Sequence, residues 1–102
     1  MTTEALETFA RLHRSALEDW IKLRHLADET DEMHKAMPTL QGLGDIMEKA
    51  VRSAAGTKAI SITELRIKAR MILIDASSAA GSRPSLPNLV VSLCHDLETM
   101  PS

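Results

Sequence analysis

Three residue types that support nucleophilic catalysis stand side by side in Cys94-His95-Asp96. A nucleophile, a base and an orienting acid must hydrogen-bond in series to act together. Consecutive residues of a helix point about 100° apart, so these three side chains cannot form such a series. Cys94 is better interpreted as a small residue at the border of a hydrophobic core.

Four histidines raise the question of a metal site. His13, His25 and His34 lie on one predicted helix, but successive members are 12 and 9 residues apart. Facing ligands on a helix are normally three or four residues apart. The sequence contains no CxxC or HExxH motif, and its Gly-Leu-Gly-Asp segment is too short for a dinucleotide fingerprint. We therefore expect no metal, no cofactor and no enzymatic activity.

Arg66 and Arg70 form a basic pair four residues apart, which is repulsive on a helix unless carboxylates lie nearby. This pair makes a DNA-binding transcriptional regulator the alternative function. The support is limited, because no aromatic residues accompany the arginines and about ten residues separate the last two predicted helices, too many for a helix-turn-helix. Acidic residues that could face the arginines are Asp28, Glu29, Asp31 and Glu32.

The elements that position these residues are predicted to be helices at about 3–37, 43–55, 61–77 and 86–100. Pro38 ends the first because proline disfavours the α conformation in the residue before it. Ser61 and Glu64 form a capping box at the start of the third. The predicted fold is all-α: a single domain over residues 1–102, built as a small bundle of about four helices with a long N-terminal helix.

The third helix has too many apolar residues for one buried face. At 100° per residue they fall into two stripes. One consists of Leu65, Ala69, Ile72, Leu73 and Ala76, and the other of Ile67, Met71 and Ile74. Arg66 and Arg70 separate the stripes on one side, and Glu64, Lys68 and Asp75 separate them on the other. The second stripe is either covered by a neighbouring helix of the same chain or meets another chain. The last helix has one stripe, formed by Leu86, Val90, Leu93, Leu97 and Met100.

Composition and charge restrict the class of protein further. A chain of 102 residues with a single cysteine, Cys94, cannot form an internal disulfide, which is typical of a reducing compartment. No apolar run approaches the roughly 20 residues that span a bilayer, and the N-terminus does not resemble a signal peptide, so we expect a cytoplasmic protein without a membrane partner.

The charge is distributed unevenly along the chain. Residues 1–36 carry a net charge of −3, and residues 57–83 carry a net charge of +3. These segments can attract each other within one chain or between chains.

Several of these residues occur in a pattern known from other proteins. The pattern combines Trp20 in an early helix, a segment with Ser61, Leu65, Lys68 and Ala69, and a terminal segment with Ser92, Leu93, Asp96 and Leu97. It resembles small uncharacterised bacterial proteins, some of them prophage-associated, over most of residues 20–97. Ser61 stands where those proteins have threonine. The resemblance implies a helical bacterial protein and no particular activity.

Together these observations favour a protein that acts through protein–protein contacts, as a homodimeric adaptor or regulator. Self-association or binding to another protein is the expected partnership, with nucleic acid as the weaker alternative. An enzyme whose residues converge only in the fold is the least supported function. The predicted interface consists of Ile67, Met71, Ile74, Arg66 and Arg70.

Overall fold

A computed structural model describes residues 2–100, and every regular element in that range is a helix. The helices are α1 (Thr2–Thr30), α2 (Met33–Ala55), α3 (Ile62–Ala76) and α4 (Leu86–Thr99). The predicted all-α class, the number of helices and the long first helix are confirmed. Residues 1, 101 and 102, the ends of the predicted domain, lie outside the described residues. Within the described range, no helix is both long enough and apolar enough to cross a bilayer.

The first helix is shorter than predicted, because the chain turns at Asp31 rather than before Pro38. Asp31 has a φ of 56°, in the left-handed region that aspartate tolerates better than most residues. The N–H of Glu32 donates to the carbonyl oxygen of Ala27 at 3.1 Å. This is the bond that closes a Schellman motif, with Asp31 at the position that glycine usually occupies.

Pro38 lies inside α2 instead of ending a helix, so the predicted boundary at residue 37 is wrong. Proline cannot donate the hydrogen bond that would reach the carbonyl of His34. Both residues are exposed, so water can satisfy that carbonyl. The second helix also begins earlier than the predicted residue 43, so Gly42 lies within it.

The long α1–α2 hairpin carries the two shorter helices at one end. α3 packs against α1, and α4 packs against both α2 and α3. The molecule is elongated, with principal extents of 54 × 22 × 16 Å. We call the far part of the hairpin, residues 20–40, the arm. Its core cluster draws on residues of α1 and α2 only, namely Trp20, Leu23, Ala27, Met33, Ala36 and Leu40.

The start of α3 follows the predicted capping box. The hydroxyl of Ser61 accepts a hydrogen bond from the N–H of Glu64 at 3.2 Å. In return, Glu64 Oε1 accepts bonds from the N–H of Ile60 and the hydroxyl of Ser61, at 3.2 and 3.1 Å. These contacts satisfy donors that an uncapped helix would leave unpaired.

The buried face of α4 differs from the predicted stripe. Leu89 and Asp96 are buried, whereas Val90 and Leu97 are exposed, the latter by 55%. The helix is turned so that Asp96 meets Lys68 in the interior, and this rotation carries part of the apolar stripe to the surface. Cys94 is exposed as well, so its interpretation as a core residue is wrong.

A basic cleft between α1 and α3

The strongest functional candidate is a cleft between the first half of α1 and the whole of α3. Its volume is about 440 Å³, within the range of pockets that bind ligands or anchor side chains. The α1 wall contains Glu7, Ala10, Arg11, His13 and Arg14, and the α3 wall contains Thr63, Arg66, Ile67, Arg70, Met71 and Ile74.

Four arginines surround this cleft. Arg11 and Arg14 are three residues apart on α1, and Arg66 and Arg70 are four apart on α3. All four are exposed, and none takes part in an ion pair among the described residues. Like charges at these helical spacings repel each other. Glu7 is the single carboxylate in the lining, so the cleft has excess positive charge and attracts an anionic group.

His13 lines the cleft and is held from behind by Asp75. Its Nε2 lies 2.9 Å from Asp75 Oδ1, and both side chains are buried. Asp75 Oδ2 also accepts a hydrogen bond from the N–H of Arg83 at 2.8 Å. An ionised carboxylate only accepts hydrogen bonds, so His13 donates through Nε2. His13 Nδ1 has no hydrogen-bond partner within residues 2–100. This dyad fastens α1 to α3 and to the loop that follows α3.

The five predicted interface residues all line the cleft, but they differ in exposure. Arg66 and Arg70 are exposed, and Ile67 and Ile74 are half-buried. Met71 is only 1% exposed and belongs to the main core cluster. Its prediction as an exposed contact residue is corrected, because α1 of the same chain packs over this stripe.

The charged residues that separate the two stripes of α3 on one side form buried polar contacts. Glu64, Lys68 and Asp75 point into the protein and are buried. Lys68 Nζ donates to Asp96 Oδ2 and, at 2.7 Å, to the hydroxyl of Ser92. Burial of the Lys68 and Asp96 charges is tolerated because each meets a partner of opposite charge.

This buried network joins three parts of the chain. The Ser92 hydroxyl donates to the carbonyl of Ala55 at 2.8 Å, and Asp96 Oδ2 accepts the N–H of Ala59 at 3.1 Å. Sequence reasoning missed the network, although Lys68, Ser92 and Asp96 all belong to the residue pattern described in the sequence analysis. The sequence did contain one sign of the network, because Ser92 and Asp96 are four residues apart and therefore lie on the same face of the last helix.

The Lys68–Ser92 contact contains the two side chains of a serine–lysine catalytic pair, but its surroundings do not favour the neutral lysine that such a pair requires. A lysine acts as a base only when it is neutral, and here Asp96 stabilises the ammonium ion. The Ser92 hydroxyl also directs its proton to a backbone carbonyl. The network is thus arranged to hold α2, α3 and α4 together.

Large apolar side chains of α3 and α4 are also exposed outside the cleft. Leu73 is 70% exposed on α3, and Val90 and Leu97 are exposed on α4. Leu73 belongs to the first predicted stripe of α3, whereas the second stripe was the one expected to meet another chain. No group of three metal-binding side chains occurs among the described residues.

No protein-family model matches the chain, and neither does any curated protein or solved structure. The function is therefore inferred from the geometry and charge of the cleft.

Proposed function

We propose that this protein acts through protein–protein contacts, as an adaptor or regulator that binds an acidic segment of another chain in the cleft between α1 and α3. The observation that carries the proposal is the set of four exposed arginines around one cleft, without an ion-pair partner among the described residues. Arginine suits this role because its planar guanidinium binds carboxylates with two parallel hydrogen bonds.

The walls of the cleft favour a protein segment over a simple anion. Ala10, Ile67 and Ile74 supply apolar surface beside the arginines. Binding energy at protein interfaces is concentrated in buried apolar anchors surrounded by polar contacts. A helix or extended segment with acidic residues and one or two apolar side chains matches both features.

The alternative proposal is a DNA-binding regulator that uses Arg66 and Arg70. It receives less support because these arginines line a concave cleft, whereas a recognition helix must protrude into a groove of the duplex. The residues between α3 and α4, 77–85, also form a longer connection than the turn of a helix-turn-helix. An enzyme remains the least supported proposal, and a cytoplasmic location accords with the lone cysteine.

Fluorescence anisotropy with a labelled amphipathic peptide rich in Glu and Leu tests the main proposal. We expect the double variant Arg66→Ala/Arg70→Ala to bind this peptide about thirtyfold more weakly than the wild type, since each of the two charge-assisted contacts contributes on the order of 1 kcal/mol. The matched control is Lys22→Ala/Lys49→Ala, which removes the same charge from exposed positions outside the cleft.

Two further probes separate the classes of ligand. A DNA duplex that binds more tightly than the peptide, with steep salt dependence, would favour the alternative proposal. Pyrophosphate that binds while the peptide does not would indicate a phosphorylated small molecule instead. Peptide binding that is equal in the wild type and the Arg66/Arg70 variant would contradict a role for the cleft.

A further inference from the structure

The tip of the arm is rich in negative charge, whereas the cleft has excess positive charge. Asp28, Glu29, Asp31 and Glu32 stand together at the turn between α1 and α2, and all four are exposed. Three of them contact Arg24, His25 or Lys35, which lie three or four residues away in the same chain, at 3.2–3.6 Å. Exposed pairs of this kind contribute little, so these carboxylates can exchange partners at small cost. We call these four residues the acidic tip.

The acidic tip cannot reach the cleft of its own chain. α1 runs without interruption from Thr2 to Thr30. Arg14 and Asp28 are therefore separated by about 21 Å along the helix axis, at 1.5 Å per residue. Any contact between the tip and the cleft must form between two copies of the chain.

We infer that the cleft of one copy binds the acidic tip of a second copy, in an antiparallel homodimer with two-fold symmetry. The inference rests on the proposed function and names the acidic segment that it requires. Each copy supplies one cleft and one tip, so the dimer contains two identical sites and leaves neither a cleft nor a tip without a partner. This closure is typical of an isologous interface.

The charge pattern of α1 favours this arrangement. Arg14, Ile21 and Asp28 follow one another at seven-residue intervals, so they lie on nearly the same face of the helix. Ile21 is 44% exposed and stands midway between the two charges. With the two-fold axis at Ile21, Arg14 of each copy lies opposite Asp28 of the other.

The same axis matches two further pairs of opposite charges. Arg11 lies level with Asp31 of the second copy, and Glu18 lies level with Arg24. The acidic tip falls level with residues 10–14, which belong to the α1 side of the cleft. Arg66 and Arg70 then face it from the opposite wall. A parallel pairing would instead place each charge beside its own counterpart, which is repulsive.

Charge reversal at the central pair tests the dimer by sedimentation velocity and light scattering at low salt. We expect wild-type chains to associate, and Arg14→Glu and Asp28→Arg to be monomeric when studied separately. By symmetry each substitution changes two contacts, so the dissociation constant should rise about tenfold or more. Both positions are exposed, so helical circular dichroism should be unchanged. Lys49→Glu is the matched control, with the same charge change on α2 outside the interface.

Mixing the two monomeric variants provides the decisive measurement. In a dimer of one Arg14→Glu chain with one Asp28→Arg chain, both cross-contacts join opposite charges. One contact pairs the unchanged Arg14 with the unchanged Asp28, and the other pairs the two substituted positions. A heterodimer of twice the monomer mass should therefore form, although neither variant associates alone. A mixture that stays monomeric, or a wild type that stays monomeric at low salt, would overturn the dimer.

The peptide assay distinguishes failure of this inference from failure of the proposed function. The Asp28→Arg variant keeps all four arginines of the cleft, and it should bind the Glu- and Leu-rich peptide. Peptide binding by a chain that never self-associates would overturn the second copy as the occupant and leave the proposed function in place. A chain that neither self-associates nor binds the peptide would contradict both proposals.

Discussion

His13 Nε2 lies 2.9 Å from Asp75 Oδ1 across the boundary between α1 and α3, and both side chains are buried. The two residues are 62 positions apart in the sequence. Asp75 also accepts the N–H of Arg83, so one carboxylate fastens two helices and a loop. The contact positions the α3 wall of the basic cleft relative to its α1 wall.

We expect His13→Ala to lower the free energy of unfolding by about 3 kcal/mol, because it removes the buried hydrogen bond to Asp75 Oδ1 and leaves that carboxylate with the backbone N–H of Arg83 as its other donor. Urea denaturation followed by circular dichroism measures this change. The double variant His13→Ala/Asp75→Ala should lose less than the sum of the two single variants, since the partners act together. Strict additivity would show that the contact contributes no coupling.

Lys68→Met should destabilise the protein by a similar amount, about 3–5 kcal/mol, because Asp96 would remain as a buried, unpaired charge. Lys49→Met makes the same chemical change at an exposed position and should shift the free energy of unfolding by at most about 0.5 kcal/mol. Thermal denaturation of both variants provides the comparison. Equal effects would indicate that the Lys68 network does not hold the helices together.

Met71 and Leu73 should respond differently to truncation. Met71 is 1% exposed and lies in the core cluster, so Met71→Ala should cost about 2–5 kcal/mol of stability. Leu73 is largely exposed, and Leu73→Ala should change stability by no more than about 0.5 kcal/mol. Chemical denaturation at low protein concentration measures both. A large loss for Leu73→Ala alone would mean that its side chain is covered in solution.

Asp31→Val should destabilise the hairpin by about 1–2 kcal/mol, because a β-branched residue fits the left-handed region poorly. Asp31→Asn removes the same charge but keeps a side chain that tolerates this conformation. Melting temperatures measured at high salt, where charge effects are screened, isolate the backbone contribution. Identical melting temperatures would contradict the role of Asp31 in ending α1.

The sequence predicted a helix boundary correctly where the residues that determine it are close together in the chain. The Ser61–Glu64 capping box marks the start of α3 because both partners lie within one turn. The end of α1 was missed because its signal is a single aspartate in a left-handed conformation. Pro38 was a misleading signal, since an exposed position near the start of α2 can accommodate it.

The candidate site was predictable in part. Arg66 and Arg70 stand out by their spacing, and both line the cleft. Arg11 and Arg14 do not stand out, because nothing in their own helix indicates that α3 lies beside them. The sequence pattern places Lys68 and Asp75 on the polar border of a helix and gives no sign that they are buried. Their burial depends on partners that are distant in the sequence.

The helical character of the chain, the start of α3 and the charges that each helix carries all follow from the order of the residues. These properties depend on contacts within one or two turns of a helix. The buried face of α3 and the grouping of four arginines around one cleft arise only when the helices pack. Apolar patterning offers two faces for α3, and the choice between them depends on contacts of Lys68 and Asp75 with α4 and α1, since a buried charge is stable only beside its partner.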